Sequence, residues 1–410
     1  MTTEVSLAEA KSLPIWRQPI ALLVLMAIAM PLAFSTWNAA LNNFVKDVAG
    51  FDGADLGLLH SIREIPGFFA VGVIAVLLFM REQVLGLVSL VMLGAATAIY
   101  AWFPQMGGIL TVTMISSIGF HYYETVNQSL QLQWIKTEDA PRMLGILIGV
   151  GSAATLVAYA LIVFTWKTFD LSYNFVFMAG GGACAAIAIY CMFAFPQFAS
   201  PTPQRKEFVL RRRYWLYYAL QFMSGARRQI FMVFAGYMMV EKFGFELHQI
   251  TMLYLVNHVI NMGAAPLMGR AIGFFGERAA LIFEYIGLSL VFALYACVYI
   301  FDLSAAVACG LYIVNHMFFS LALAIKTYFQ KIADPADIAP TAAVAFTINH
   351  IAAVFLPFGL GLIWITSPEL VFWCATGMAL ISLLLSLLIP RNPHDGHETV
   401  LRAAVAAPAE

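Results

Sequence analysis

The stretch SPTPQRKEFVLRRR, residues 200–213, is the longest polar interruption in a strongly apolar chain. It is rich in Pro and Arg, and apolar runs of the length that a helix needs to cross a bilayer, roughly 20 residues, lie on both sides of it. The predicted spans are 19–45, 56–80, 84–104, 108–134, 143–165, 173–196, 214–240, 250–269, 279–300, 304–329, 341–365 and 369–390. The stretch therefore divides the chain into two halves of six spans each.

The overall composition indicates the same fold class. Hydrophobic residues make up 61% of the 410-residue chain, charged residues only 11%, and the mean hydropathy is +0.82. The apolar runs are continuous, as in membrane helices, and do not alternate as barrel strands do. The sequence predicts an all-α membrane protein with twelve transmembrane helices in two six-helix pseudo-repeats.

Lysine and arginine are distributed unevenly between the two ends of the predicted spans. With the N-terminus placed inside, most of the 22 lie on the inner side, and the outer loops hold only Lys46, Lys167 and Lys242. The positive-inside rule then puts both termini in the cytoplasm. The first 18 residues are polar and lack a small-residue cleavage site, so we expect a retained tail and no signal peptide. The predicted parts are an N-terminal bundle 1–199, a cytoplasmic linker 200–213, a C-terminal bundle 214–390 and a cytoplasmic tail 391–410.

Several classes of function are disfavoured by the sequence. The net charge of −1 gives no basic excess for nucleic acid, and the five cysteines lie in apolar runs without a Cys-x-x-Cys pair, so neither a disulfide framework nor a zinc site is indicated. The chain has no Gly-x-x-x-x-Gly-Lys-Ser/Thr run, which excludes an ATP-driven pump. We expect a monomer in the lipid bilayer that binds a small molecule, holds no cofactor and is not an enzyme.

Polar side chains in the first two spans are candidates for a solute pathway, because ionisable groups in lipid are costly unless they are paired or wetted. Trp37 and Asn38 lie towards the outer end of the first span. They are either an interfacial tryptophan with a helix–helix hydrogen bond or part of a substrate-lining face. Arg63 and Glu64 in the second span form either a structural pair or gate, or a substrate contact, and we predict a gating or coupling role for them.

The fourth span carries the densest polar sequence, HYYETVNQSLQLQW at residues 121–134. Its carboxylate and amides recur at i, i+3, i+4 and i+7, which places them in one stripe on a helix. A polar stripe facing lipid is untenable, so this face is predicted to line a cavity. The predicted substrate-binding residues here are His121, Glu124, Gln128 and Gln131, and Glu124 is also a candidate for coupling.

Arg227 and Arg228 lie deep inside the seventh span, too deep for both to reach the membrane surface easily. One of them is expected to pair with Glu124 or Glu64, and the other to face an anionic or carbonyl-rich ligand. A structural pairing with a neighbouring residue is an equally good alternative.

Three Asn-His dipeptides recur in the C-terminal half, at positions 257–258, 315–316 and 349–350. These imidazoles could donate hydrogen bonds to a carbonyl-rich substrate, accept protons or bind a soft metal. His258 and Met262 are one helical turn apart, and imidazole with thioether is a sensible pair for Cu(I). The predicted substrate-binding residues of this half are Asn257, His258, Met262, His316 and His350, with His258 and Met262 as the alternative metal ligands.

The pattern of twelve helices in two repeated halves around a basic central loop resembles the major facilitator superfamily, whose substrate path runs between the halves. The stretch GRAIGFFGER, residues 269–278, is similar to the Gly- and Arg-rich turn of that superfamily. The corresponding stretch after the second span, FMREQVLGL, is not. The resemblance implies a transporter that works by alternating access.

Two further stretches, SGARRQIFMVFAGYMMVEKFGF at 224–245 and NHVINM at 257–262, resemble the CcoA-like transporters, with HYYETVNQSLQLQW as support. That group includes bacterial copper importers and RfnT-type riboflavin importers. Its copper importers carry Met-x-x-x-Met in the seventh helix and His-x-x-x-Met in the eighth. The second motif is present here as His258 and Met262. The first is missing, although Met232 and Met239, seven residues apart, are expected to share a face.

The missing motif favours the flavin branch, because one histidine and one methionine are too few ligands to hold Cu(I) in transit. Riboflavin has a flat ring that stacks on aromatic side chains, and carbonyl, NH and hydroxyl groups that amides and imidazoles can bind. The resulting prediction is an importer of riboflavin or a related flavin in the bacterial inner membrane. The alternative is a copper importer of the CcoA type, which supplies copper for cytochrome oxidase assembly. A non-transporting membrane sensor or assembly factor is a third class, which would have no need for polar stripes.

Overall fold

A computed structural model describes residues 5–69, 72–77, 79–135, 140–199, 210–334 and 337–401, and these residues are almost entirely helical. Most of the predicted linker, residues 200–209, and the end of the predicted tail, residues 402–410, lie outside the described residues. Residues 136–139 also lie outside them.

Every predicted span coincides with one helix or with a series of shorter ones. In the first half these are α1 Pro19–Asp47, α2 Gly53–Phe68, α3 Gly72–Val76, α4 Glu82–Ala98, α5 Met106–Trp134, α6 Ala140–Thr165 and α7 Tyr173–Ala194. In the second half they are α8 Trp215–Ile230, α9 Gly236–Glu241, α10 Leu247–Phe275, α11 Glu277–Ile300, α12 Ala305–Phe319, α13 Leu323–Ile332, α14 Ile338–Trp364 and α15 Pro368–Leu387. The all-helical fold class with twelve spans is confirmed.

Some spans are interrupted. Among the described residues, seven helices are long and apolar enough to cross a membrane, and the bent α10 makes eight. The second span is divided into α2 and α3, and α2 contains Pro66, whose ring disturbs a helix interior. The seventh span changes from α8 to α9 through a π-helical turn, Phe231–Ala235, and α12 meets α13 through a 3-10 turn, Ser320–Ala322.

The chain forms two compact units. The N-terminal unit contains Met1–Gly50, Ile62–Arg205 and Gly244–Leu255, and the C-terminal unit contains Phe51–Ser61, Lys206–Phe243 and Val256–Glu410. The start of α2 is thus grouped with the C-terminal unit, and the start of α10 with the N-terminal unit. The division into bundles 1–199 and 214–390 remains a prediction.

Small residues let helices of the N-terminal unit approach closely. A Cβ atom on Gly94 would lie 2.6 Å from the carbonyl oxygen of Gly181 on α7, and one on Gly119 would lie 2.7 Å from the carbonyl oxygen of Ser89 on α4. Backbones can approach this closely only where a side chain is missing, which is the usual way of packing helices in lipid. α4 therefore packs closely against both α5 and α7.

Close backbone packing also fixes the segment Phe51–Ser61 within the C-terminal unit. A Cβ atom on Gly57 would clash with the carbonyl oxygen of Pro357 on α14, and the backbone N–H of Phe358 donates to Ser61 Oγ at 3.0 Å. Tyr237 on α9 donates to the carbonyl of Phe51 at 2.9 Å. The Ser61 hydroxyl thus accepts a backbone N–H of α14 next to Pro357.

A glutamate at the start of a helix recurs in the two units. Glu82 at the start of α4 accepts hydrogen bonds from Ser129 at 3.2 Å and Gln133 at 2.7 Å on α5. Glu277 at the start of α11 pairs with Lys331 of α13 at 2.8 Å. In each half, a glutamate at the start of the third span (α4 or α11) therefore bonds to the fourth span (α5 or α13), as expected for a repeated fold.

Candidate functional site

Arg63 of α2 lies at the centre of an aromatic cluster in the N-terminal unit. Its guanidinium carbon is 5.3 Å from the ring centroid of Phe34, 5.0 Å from that of Trp37 and 5.9 Å from that of Phe120. α1 supplies the first two rings, three residues apart on one face, and α5 supplies the third. Phe34 and Phe120 stack with centroids 4.9 Å apart and planes 20° apart. The Arg63 guanidinium therefore lies over three aromatic rings, Phe34, Trp37 and Phe120, which we call the aromatic shelf.

The charge of Arg63 is balanced by its neighbour. Arg63 Nη1 donates to Glu64 Oε1 at 2.9 Å, and the side chain of Glu64 is only 5% exposed whereas that of Arg63 is 16% exposed. A cation over aromatic faces gains up to about 2 kcal/mol when it is desolvated. The pair and the rings together allow a charged side chain to remain inside an apolar unit.

Polar groups of α5 form one edge of the shelf. Ser117 donates from its hydroxyl to the carbonyl oxygen of Arg63, and His121 Nδ1 lies 3.0 Å from Ser117 Oγ. His121 is buried, and one of its ring nitrogens lies within 4.8 Å of a carboxylate oxygen of Glu64. Arginine, carboxylate, hydroxyl and imidazole thus meet beside three aromatic rings.

A small cavity opens at this place. It has a volume of about 10 Å³, which is room for about one water molecule. Its walls are Phe34, Trp37, Arg63, Leu93, Thr113, Ser116, Ser117 and Phe120. The cavity belongs wholly to the N-terminal unit, and we call it, with Glu64 and His121, the arginine–aromatic site.

The other predicted residues of this unit lie on α1 and α5. Asn38 is half-buried and is within hydrogen-bonding reach of the Tyr159 hydroxyl of α6. On the predicted stripe, Glu124 and Gln131 are half-buried and Gln128 is exposed. Glu124 and Gln128 follow His121 at i+3 and i+7, so they continue its face of α5. Their role in substrate binding remains a prediction.

The C-terminal unit contains a second aromatic–imidazole cluster. The His316 ring of α12 lies 4.9 Å from the Phe231 ring in the π-helical turn and 5.4 Å from Tyr312. His258 of α10 is close enough to His316 to interact with it electrostatically. The neighbouring Asn315 is fully buried, and neither polar atom of its side chain has a hydrogen-bond partner among the described residues. The histidines of two of the three Asn-His dipeptides are therefore within electrostatic range of each other.

The remaining predicted residues of the C-terminal unit have individual environments. Asn257 is buried and accepts a hydrogen bond from Asn261 at 3.1 Å, whereas Met262 is 51% exposed. His350 is buried, with Nδ1 2.8 Å from the carbonyl oxygen of Phe346. Arg228 is exposed and donates to Asn349 at 2.9 Å.

Arg227 has a partner that the sequence analysis did not name. Its guanidinium lies 3.9 Å from a carboxylate oxygen of Glu284 on α11 and 4.3 Å from the ring centroid of Tyr285, and both charged side chains are 0% exposed. The expected pairing was with Glu124 or Glu64. Glu284 could have been found from the sequence, because a lone carboxylate in the run LIFEYIGLSL is by itself a candidate.

Two other features were not predicted by the sequence analysis. Met232, in the π-helical turn, is 37% exposed and Met239 on α9 is fully buried, so the two methionines have different environments. That they share a face stays a prediction, and a π-helical turn, which holds more residues than an α-helical one, changes the angle between side chains on either side of it. Phe34 and Phe120 were missed because phenylalanines are abundant in any membrane helix and nothing in the sequence marks these two.

The family is shown by comparison with known proteins. The sequence profile of the Major Facilitator Superfamily matches residues 23–357. The chain belongs to the major facilitator superfamily. It is therefore a secondary transporter that spans the membrane several times and binds small-molecule substrates within it, and its family is not a catalytic one.

Solved structures of the superfamily share the fold. The nucleoside transporter NupG, in a mutant form, aligns with a TM-score of 0.76 and 13% identity over 90% of this chain and 99% of its own. A bacterial homologue of the iron transporter ferroportin aligns with a TM-score of 0.69 and 10% identity, over 91% and 98% of the two chains. The xylose transporter XylE from E. coli aligns with a TM-score of 0.65 and 10% identity, over 89% and 97%. No curated protein has a significant sequence match to the chain.

Proposed function

We propose that this major facilitator protein imports riboflavin or a closely related flavin, and that it belongs to the CcoA-like group on its RfnT side. The arginine–aromatic site carries the proposal. It combines stacked aromatic faces with an arginine, a carboxylate, a hydroxyl and an imidazole at one edge. A flavin presents the complementary surface, a flat tricyclic ring with carbonyl and NH groups along one side and a ribityl chain with hydroxyls.

The chemistry of the site favours a planar heterocycle over a bare ion. Trp37 and the stacked pair Phe34 and Phe120 offer ring faces on which a flat heterocycle stacks. Arg63 and Ser117 carry donors and Glu64 carries acceptors, and these groups bond to one another in the structure. A ligand that displaces those bonds has to offer matching groups in their place. The Arg63 guanidinium lies over the rings of Phe34, Trp37 and Phe120. A flavin that stacks on these rings therefore shares their faces with the guanidinium or displaces it.

The C-terminal unit supports the same class of ligand. Phe231 and Tyr312 flank the imidazole of His316, and the buried amide of Asn315 has unused donor and acceptor capacity among the described residues. These are again aromatic and hydrogen-bonding groups side by side. The proposal also includes placement in a bacterial inner membrane with both termini in the cytoplasm, and function as a monomer.

The fold neighbours do not choose the substrate. Their names refer to a nucleoside, to iron and to xylose, and each shares only 10–13% of its residues with this chain. The choice therefore depends on transport measurements.

Growth of a riboflavin auxotroph tests the proposal directly. We expect the chain to restore growth on low external riboflavin, and Trp37→Leu to weaken uptake about ten-fold or more, because stacking of a heterocycle on one aromatic ring is worth about 1–3 kcal/mol. Phe177→Leu is the matched control, since Phe177 is a buried aromatic residue packed 5.1 Å from Tyr100 outside the site. The proposal is wrong if the expressed, membrane-inserted wild type gives no riboflavin uptake.

Copper import is the second candidate, and one observation favours it. His258 and Met262 are one turn apart on α10, and His316 lies near His258, so two imidazoles and a thioether are available in the C-terminal unit. Under this alternative, expression raises cellular copper and rescues a copper-starved cytochrome oxidase. The double variant His258→Ala with Met262→Ala then abolishes copper uptake. Under the first proposal, the same variant lowers flavin uptake only in part.

A further inference from the structure

The charged pair Arg227 and Glu284 lies in the apolar interior, where the free-energy cost of a charge is largest. Arg227 lies in α8 and Glu284 in α11, both in the interior of apolar spans, and neither side chain is exposed at all. A charged group inside a membrane protein is a functional candidate by default, because apolar residues of similar size would pack there at lower cost.

The pair is also poorly bonded. The nearest nitrogen and oxygen are 3.9 Å apart, beyond hydrogen-bonding distance. Among the described residues, neither oxygen of Glu284 and neither terminal nitrogen of Arg227 has a hydrogen-bond partner. Arg227 Nε donates to the carbonyl oxygen of Met223 at 3.1 Å on its own helix, and the guanidinium is within reach of the Tyr285 hydroxyl. The charges attract each other, but the geometry of a tight structural bridge is missing.

Other charged groups on the neighbouring elements have partners of their own or lie elsewhere. Glu277 is seven residues earlier on α11, about 10 Å along the helix, and is bonded to Lys331 of α13. α15 carries Glu369 in its first turn, and α12 carries His316 next to Phe231. Within the part of the chain that is described, Arg227 is the charged group that acts on Glu284.

We propose that Glu284 binds and releases the proton that drives transport, and that Arg227 links this step to the rest of the C-terminal unit. This deepens the proposed function and rests on it. A proton that adds to one carboxylate oxygen makes Glu284 neutral, and its loss restores the carboxylate. Arg227 does not lose its proton in proteins, so its charge needs another partner whenever Glu284 is neutral. Proton binding is thereby tied to a rearrangement around Arg227.

Transport by purified protein in proteoliposomes tests this coupling. One pH unit across the membrane is equivalent to about ten-fold accumulation for one coupled proton. We expect the wild type to accumulate riboflavin about ten-fold under such a gradient, and Glu284→Gln to lose this accumulation while it still exchanges labelled for unlabelled riboflavin at equal pH. Glu277→Gln is the matched control, a buried glutamate of the same helix, and should keep both activities.

The proposal is overturned if Glu284→Gln accumulates riboflavin as the wild type does, if the wild type ignores the gradient, or if a folded Glu284→Gln protein loses exchange as well. Should Glu284→Gln not fold, the double variant Arg227→Gln with Glu284→Gln, which removes both charges together, is used in its place.

A second readout separates this proposal from that of the substrate. Infrared difference spectra over a pH titration, recorded without substrate, contain bands from all titrating carboxyl groups. One component of the protonated-carboxyl band should be present in the wild type and in Glu277→Gln and missing in Glu284→Gln. If riboflavin is not transported but this component behaves in this way, the substrate proposal fails and the proton site stands. A Glu284→Gln spectrum that lacks no component of the wild-type band overturns the proton site.

Discussion

The two units each contain an arginine, a glutamate and aromatic rings, but they arrange them differently. In the N-terminal unit, Arg63 and Glu64 are hydrogen-bonded at 2.9 Å, three rings surround the guanidinium, and a small cavity touches it. In the C-terminal unit, Arg227 and Glu284 are 3.9 Å apart, one ring covers the guanidinium, and both are fully buried. The same residue types therefore form a hydrogen-bonded pair beside a cavity in one unit and a looser, fully buried pair in the other.

The largest expected effect comes from removing one charge of the fully buried pair. Glu284→Leu leaves Arg227 without a counter-charge in an apolar environment, and we expect a loss of about 3–5 kcal/mol in the free energy of unfolding. Adding Arg227→Met should recover most of it. Thermal unfolding of the purified variants measures both. If Glu284→Leu were no less stable than the wild type, the pair would not be charged as described.

The partly exposed pair should tolerate the same change better. Glu64→Leu leaves Arg63 with its three aromatic rings and some access to water, so its free energy of unfolding should fall by less than that of Glu284→Leu. The comparison is made by thermal unfolding under identical conditions. An equal or larger loss in Glu64→Leu would contradict the distinction between the two units.

Arg63→Lys tests whether the guanidinium itself matters for substrate. Lysine keeps the charge but loses the planar group that stacks on aromatic rings, a difference worth about 0.5–2 kcal/mol. We expect the apparent affinity for riboflavin to fall by a few-fold at an unchanged protein level. Uptake at several riboflavin concentrations measures this, with Lys331→Arg as a control for a charge outside the site. An unchanged affinity would remove Arg63 from the ligand contacts.

The smallest effect is expected outside the spans, at the start of α14. A hydrogen bond from Arg211 at 2.8 Å, with another from Tyr214 at 3.0 Å, holds the pKa of Asp337 below its ordinary value of 3.8. Because the folded-state pKa is lowered, this contribution to stability is present above about pH 4 and is lost as the pH falls through the folded-state pKa. Asp337→Asn should therefore be slightly less stable at pH 7 and equal to wild type in strong acid, in thermal scans across pH. A difference that grows in acid would contradict the sign.

Much of the fold was predictable because it depends on the length of apolar runs. Each of the twelve spans coincides with a helix or a series of helices, and the helix of the densest polar sequence, Met106–Trp134, continues through it without a break. The division of the second span into α2 and α3 was not predicted. Pro66 marks a disturbance there. Whether a proline bends or breaks a membrane helix depends on which groups bond the backbone N–H and C=O that the proline leaves without partners.

The candidate sites were predictable as residue types but not as constellations. Trp37, Arg63, Glu64 and His121 were each identified by their polarity inside apolar runs, and the structure brings them together in one unit. The partner of Arg227 was expected elsewhere, because a one-dimensional pattern gives the face of one helix but not which neighbouring helix it meets. Phe34 and Phe120 acquire their meaning only from the cation that lies beside both rings.

The π-helical turn at Phe231–Ala235 affects how motifs in this family should be counted. A signature written as letters at fixed intervals assumes that every turn holds the same number of residues. One widened turn shifts the azimuth of everything downstream, so two relatives with identical intervals can present their thioethers in different directions. Comparisons of related transporters across this segment therefore need a three-dimensional register.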